Sequence, residues 1–181
     1  DRDVILTLTG GSHILNSVQP YQTIAYAGFG EVGIRFSKTL KLTLGGRYSS
    51  ETSKLDEKRS LSTTSTIHGR GTWNSFTPKA ALSWEVTPRA TAYATVSRGF
   101  KSGGFNPGTF VAKSFAPEYV TNYEVGVKGT AIGGALRFSL AAFYMKYTDL
   151  QVQTYVNTTG VPQSLIVNAA NATIKGVEGD F

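Results

Sequence analysis

The sequence predicts an all-β chain: an antiparallel up-and-down transmembrane β-barrel, present as a partial segment of about seven strands. Three observations predict it. Apolar and polar residues alternate with period two in one segment after another. These segments run about 10–13 residues, matching the roughly 9–11 of a tilted membrane strand rather than the roughly 5–6 of a soluble one. Connections alternate between short turns and long polar stretches, the layout of an outer-membrane barrel.

Each element follows from its own pattern. From Ile24 to Phe36 the even positions are Ile24, Tyr26, Gly28, Gly30, Val32, Ile34 and Phe36, against Ala25, Ala27, Phe29, Glu31, Gly33 and Arg35. After Ser37-Lys38-Thr39, the row Leu40, Leu42, Leu44, Gly46, Tyr48 opposes Lys41, Thr43, Gly45, Arg47, Ser49. Phe76, Pro78, Ala80, Leu82, Trp84 and Val86 oppose Thr77, Lys79, Ala81, Ser83 and Glu85. Past the Pro88-Arg89 turn, a weaker strand sets Ala90, Ala92, Ala94 and Val96 against Thr91, Tyr93, Thr95 and Ser97. Tyr123, Val125 and Val127 oppose Asn122, Glu124, Gly126 and Lys128. Gly133-Gly134 marks a turn, after which Leu136, Phe138, Leu140, Ala142 and Tyr144 oppose Arg137, Ser139, Ala141, Phe143 and Met145. A last strand is expected from about Leu165. Short connections are expected near 37–39, 87–89 and 130–134, and long ones near 50–74, 99–117 and 156–164. Residues 1–20 read as the end of another long loop. Aromatics near both ends of the apolar rows (Tyr26, Phe36, Tyr48, Phe76, Trp84) fit two girdles around an aliphatic band.

Composition narrows the function classes. Charged residues make up 17% of the 181, below the roughly 25% of an average soluble domain. Ten Phe and nine Tyr are too many for a disordered segment. No run of about 18 apolar residues exists, which excludes a membrane-spanning helix. Without Cys there is no disulfide scaffold and no thiolate zinc site, and with only His13 and His68 no multi-histidine cluster. The net charge of +6 is spread as single Lys and Arg residues between acids, so no nucleic-acid tail is present. Asp1-Arg2-Asp3 is not a signal peptide, which does not argue against export.

Chemistry-bearing motifs are weak. Gly28-Phe29-Gly30-Glu31-Val32-Gly33 matches G-x-G-x-x-G, but it sits within an alternating strand with no helix to meet a phosphate. Both histidines are expected in loops, and no nucleophile elbow accompanies them, so nothing points to an enzyme. The sequons at Asn157 and Asn171 read as accidental. The polar row is more informative. Glu31, Arg35, Lys41, Arg47, Lys79, Glu85, Asn122, Glu124, Lys128 and Arg137 are expected to face one way, into a lumen. That face either holds a plug or guides solute, or it simply keeps the lumen wet.

The stretch from about Tyr21 onward resembles the TonB-dependent outer-membrane receptor family, in particular its iron-siderophore branch. The resemblance is carried in order by Ala27-Gly28-Phe29-Gly30-Glu31-Val32, Leu42-Thr43-Leu44-Gly45-Gly46-Arg47-Tyr48 and Phe76-Thr77-Pro78-Lys79. It continues through Tyr93 to Asn106, Pro117-Glu118, Thr121 to Lys128, Ala142 to Gln153, Val167-Asn168-Ala169 and Ala172 to Glu178. It implies a 22-stranded barrel around a plug, of which this chain, read as truncated, supplies a wall segment over 1–181 without the plug domain. It also implies the outer membrane of a Gram-negative bacterium, with no cofactor. The implied partners are outer-membrane lipid and lipopolysaccharide, the protein's own plug, the TonB energy-transducing complex and a small ligand such as a ferric siderophore. The loops at 50–74 and 99–117 are the expected ligand contacts, with Trp73, Arg98, Phe100, Lys101, Phe105 and Asn106 as candidates. The alternatives are a passive channel or structural barrel, and a soluble β-sandwich binding module.

Overall fold

A computed structural model describes residues 6–10, 13–18, 21–60, 64–107, 114–157 and 162–181. In chain order the strands are β1 (Leu6–Gly10), β2 (His13–Val18), β3 (Tyr21–Arg35), β4 (Leu40–Ser60), β5 (Thr64–Thr87), β6 (Ala90–Lys101), β7 (Gly104–Phe105), β8 (Ser114–Phe115), β9 (Glu118–Ala131), β10 (Leu136–Asn157) and β11 (Pro162–Asp180). Seven of them, β3-β4-β5-β6-β9-β10-β11, form one antiparallel meander. The β1–β2 hairpin prolongs the β3 side, with β2 meeting β4 at Lys58 to Ser60. β7 and β8 pair with each other inside the β6–β9 connection.

The register joins the separate alternations into two continuous faces, because directly opposed residues project the same way. One row crosses all seven strands as Ile34, Leu42, Leu82, Ala94, Val125, Ala142 and Val177. The adjacent row, on the opposite face, reads Gly33, Thr43, Ala81, Thr95, Glu124, Phe143 and Gly176. The apolar face is outermost: Val32, Leu44, Leu82, Val96, Val125 and Val177 are all exposed. Leu55 and Phe105 are the only buried hydrophobic residues among those described. A water-soluble sheet would cover that face; an outward apolar band is the arrangement of a membrane barrel. On β4, Leu40 opposes Trp84 and Tyr48 opposes Phe76. Those aromatic levels lie eight residues apart, about 20 Å along the bilayer normal for a strand tilted about 40°, close to the roughly 25 Å apolar band of such barrels.

The three short connections are as expected. At the first, the Ser37 hydroxyl accepts from the amides of Thr39 and Leu40. At the second, the amide of Arg89 donates to the Thr87 hydroxyl. The third is a 3-10 turn, Ile132–Gly134, followed by Ala135; all three of its residues have positive φ. The opposite end departs from expectation. The polar stretch at 50–74 is not a loop, because β4 runs to Ser60 and β5 starts at Thr64, paired residue by residue. Likewise β10 extends to Asn157 and β11 starts at Pro162. In the 50–74 stretch the outer row turns polar and only Leu55, Ile67 and Trp73 stay apolar on the inner one, so hydropathy stops marking the strands while the backbone goes on pairing. For the same reason His68 lies within β5, and His13 opens β2. Residues 1–20, expected as a loop end, hold β1 and β2. The glycines of 28–33 lie inside β3. Of the sequon at Asn157, residues 158 and 159 lie outside the described residues.

The two faces make opposite predictions for neighbours in sequence. In the full-length protein, Leu42→Arg is expected to cost about 2–4 kcal/mol near the bilayer midplane, and Thr43→Arg much less. Denaturant titration in lipid with heat-modifiable gel mobility measures both; equal costs would overturn the face assignment.

Candidate functional site

The polar face carries the candidate chemistry. Register places all ten predicted polar residues on it: Glu31, Arg35, Lys41, Arg47, Lys79, Glu85, Asn122, Glu124, Lys128 and Arg137. Small residues between them let long side chains reach past a strand. Glu31 extends over Gly45, and its carboxylate lies 3.9 Å from the Lys79 ammonium on β5. Both groups are about half exposed, so the pair is worth little in stability. Tyr93 lies across Gly126 and donates to Glu124 Oε1 at 2.9 Å. A Cβ on Gly126 would meet the Tyr93 ring at 2.6 Å, so only glycine leaves room for it. Asn122 donates to the other Glu124 oxygen at 3.5 Å.

At the end away from the short turns, this face is covered. β6 parts from β5 after the Lys79–Ser97 pair, while its pairing with β9 continues to Lys101–Glu118. The chain beyond it crosses the polar face as a strap. Its apolar anchor is Phe105, set edge-on to Trp73 at 5.7 Å between centroids. Gly103 passes so close to Trp73 that a Cβ there would lie 2.4 Å from the indole nitrogen and 2.5 Å from the Phe115 carbonyl. Gly104 sits beside the Tyr21 hydroxyl on β3. Leu55, Ser53, Glu57 and Ser75, on the polar face of β4 and β5, are buried in this region.

Side-chain amides tie the strap to the last strands. Asn106 donates to the Ile166 carbonyl at 2.8 Å and accepts from the Ile166 amide at 2.7 Å, as a neighbouring strand would. Asn168 repeats the device on Ala116, donating to its carbonyl at 2.8 Å and accepting from its amide at 2.6 Å. Asn168 also donates to the carbonyl of Asp149, a left-handed residue where the β10–β11 register shifts. Gln151 donates through its side chain to the carbonyls of Ser102 and Ala116, and through its backbone to Glu118.

The departure of β6 opens a hollow of about 480 Å³ lined by residues including Ala25, Ala27, Arg47, Ser49, Glu51, Phe100 and Ser102. Phe100 has the apolar parity of β6 and lines this hollow, as do Tyr26 and Ser50, of the same parity on β3 and β4. Of the other candidates, Phe105 and Asn106 are buried in the strap, Trp73 supports it, and Lys101 is exposed where the strap begins. The Arg98 guanidinium lies 4.2 Å from the centre of the Tyr119 ring, beside Phe100. Ser49, Glu51, Gln151 and Asn168 were not singled out from sequence. Ser49 and Glu51 lie at the edge of, or inside, a stretch read as loop, and the amides bond to backbone far along the chain.

A family model described as TonB dependent receptor-like, beta-barrel matches residues 3–181. The metal-pseudopaline receptor CntO of Pseudomonas aeruginosa is 32% identical over 118 residues, 65% of this chain and 15% of that protein. The ferric yersiniabactin uptake receptor FyuA from Yersinia pestis has the same fold over 91% of this chain and 25% of its own, with TM-score 0.78 and 22% identity. The alcaligin outer-membrane receptor FauA from Bordetella pertussis gives TM-score 0.57 at 19% identity, over 91% of this chain and 30% of its own. The chain thus spans about 15% of the length of the curated relative it matches.

The strap's fastening makes a local prediction. Asn106→Ala leaves both backbone groups of Ile166 without that partner, at about 2 kcal/mol. In the full-length protein the Ile166 amide is expected to exchange with solvent about thirtyfold faster, while amides of β4 around Leu42 stay unchanged. Hydrogen exchange read by mass spectrometry checks this.

Proposed function

The chain belongs to the TonB-dependent receptor β-barrel family, and on that premise we propose that its parent is an outer-membrane receptor that captures a scarce metal chelate and imports it with energy from the inner membrane. Family members are outer-membrane proteins of Gram-negative bacteria. In this reading residues 1–181 are a wall segment, and a plug elsewhere in the parent fills the lumen. The three short turns face the periplasm, and the long β4–β5 and β10–β11 hairpins face outward.

The match across residues 3–181 carries this reading. The site geometry supports it. Arg47 and Glu51 offer both signs of charge beside the hydroxyl of Ser49 and the ring of Phe100, in a hollow at the outward end. A polar chelate of a metal needs such a mixture: donors for its anionic groups, acceptors for its hydroxyls and a ring to stack on. Lys101, exposed at the start of the strap, adds a cation at the entrance. Phe105, Asn106 and Trp73 serve by holding the strap. The chelate class is favoured because the relatives named above are receptors for metal-pseudopaline, ferric yersiniabactin and alcaligin. Deeper in the lumen, Glu124 and the Glu31–Lys79 pair offer the plug charge-assisted hydrogen bonds. TonB is the expected energy-transducing partner.

Cells carrying the full-length protein are tested with a panel of labelled ferric chelates. Import of the recognised chelate is expected to stop when an uncoupler collapses the proton gradient, while surface binding persists. Arg47→Ala is expected to weaken that binding about tenfold or more, the loss of one charged hydrogen bond. Import that ignores the uncoupler favours a passive channel and overturns the receptor reading.

A further inference from the structure

β5 is flanked by β4 from Thr64 to Trp84, but by β6 only from Lys79 to Thr87. The Glu85 amide donates to the Thr39 carbonyl at 2.8 Å, which turns the odd residues of β5 toward β4. Successive residues of an antiparallel strand bond to opposite sides, so the even residues turn toward β6. Pro78 is even and has no N–H, so it brings no donor to the pair that Arg98 of β6 would complete there. The β5–β6 ladder accordingly ends at Lys79–Ser97, and Arg98 pairs only with Thr121 of β9. The proline thus sets the place where the wall opens, next to the aromatic level at Phe76.

Beyond it, β5 carries an open edge. Thr66, His68, Arg70, Thr72, Asn74 and Phe76 direct amide and carbonyl away from β4. All of them are exposed, and no strand lies beside them among the described residues. Hydrocarbon would not tolerate such an edge, and it begins only at the girdle and runs outward from there. In water an exposed edge of this length is a template for another extended chain. The strap does not close it, because Phe105 and Trp73 lie over the inner face at Gly69 and Gly71.

The charge beside the edge says what kind of chain fits. Arg70 stands opposite Lys54, and like charges opposed across two strands repel. The acid two residues from Lys54, Asp56, is held by His68 at 2.6 Å. An added strand would set one residue opposite Arg70 on its free side, where an acid is attracted and a base rejected. The residues next to it would lie beside Gly69 and Gly71, against Trp73 and the strap, where small or apolar side chains fit. A second copy does not meet this need: held in the same membrane, its β5 would run parallel, with Arg70 level with Arg70.

We propose that the outward edge of β5 takes up an extended strand of a protein partner outside the cell, main chain to main chain, with an acidic residue opposite Arg70 and apolar residues beside Gly69 and Gly71. The edge follows from strand pairing and not from the import reading, with which it shares only the side of approach.

The full-length protein is placed in lipid nanodiscs, which leave both ends of the barrel accessible, and amide exchange is read at single-residue resolution. The amides of His68, Arg70, Thr72 and Asn74 are expected to exchange about tenfold or more faster than those of Gly69, Gly71 and Trp73. Equal protection would show that another part of the parent closes the edge and would overturn the proposal. The probe is then a fluorescent synthetic peptide long enough to span Thr66 to Phe76, with valine at inward positions, threonine at outward ones and glutamate at the central outward position. Its binding is expected to slow exchange of the even-numbered amides. Lysine in place of that glutamate should weaken binding about tenfold, and R70E should reverse the preference. Methylating one alternate set of peptide amides should abolish binding, and methylating the other set should spare it. The peptide series is read on the unsubstituted protein, so the claim stays testable if R70E assembles poorly. No binding, or binding indifferent to the glutamate and to both methylation patterns, overturns the proposal and leaves the receptor reading intact.

Discussion

In hydrocarbon no water can accept or donate a hydrogen bond, so every backbone amide and carbonyl of a crossing strand must be paired by another strand. The rest of this structure follows from that requirement. It demands long uninterrupted ladders, which is why β3 pairs with β4 at each residue from Tyr21 to Arg35 and β4 with β5 from Leu40 to Ser60. It also fixes parity across the sheet. Once Leu42 faces lipid, register commits Leu82, Ala94, Val125, Ala142 and Val177 to do so too. A shift by one residue in any strand would expose Thr43 or Glu124 to the acyl chains.

A sheet whose apolar face points outward has no conventional core, so order on its inner side must come from elsewhere. Here the strap supplies it. Phe105 against Trp73 gives a small apolar seat, and Asn106, Asn168 and Gln151 bond to backbone groups of other segments. A side-chain amide matches a peptide group in donor and acceptor, so it can stand in for a strand where no strand runs. The parting of β6 from β5 has two effects: it frees the strap to cross the lumen face, and it opens the hollow beside Arg47 and Glu51.

The sequence made the membrane-crossing half legible because lipid on one side and water on the other impose period two. Leu40 to Tyr48 and Leu136 to Tyr144 are strands by that signal alone. Outside the bilayer the contrast vanishes. Ser50 to Ser60 is as regular a strand as Leu40 to Ser49, yet Leu55 is its one apolar residue and it reads as loop. The strap was legible as a place and not as a shape. Its glycines and aromatics mark residues 99–117, but Asn106 meets Ile166 sixty positions along the chain. No local pattern announces such a bond. Phe100 shows the same limit in one residue: parity assigns it to the apolar face, yet it lines the hollow beyond the point where β6 leaves β5.

Gly104 and Asn106 also act as a measuring rod. Gly104 rests beside the tip of Tyr21, on the first strand of the seven-stranded meander, and Asn106 holds Ile166, on the last. Laid flat, those strands would be separated by six spacings, about 29 Å. Two residues of chain span only about 7 Å. With an extended tyrosine and an asparagine side chain added, the reach still falls somewhat short of the flat distance. The wall is therefore curled, and the strap runs across it as a chord to its arc. A segment of three residues on the polar face thus reaches toward both ends of the meander, so the curl of the strands from β3 to β11 is tied to one short piece of chain.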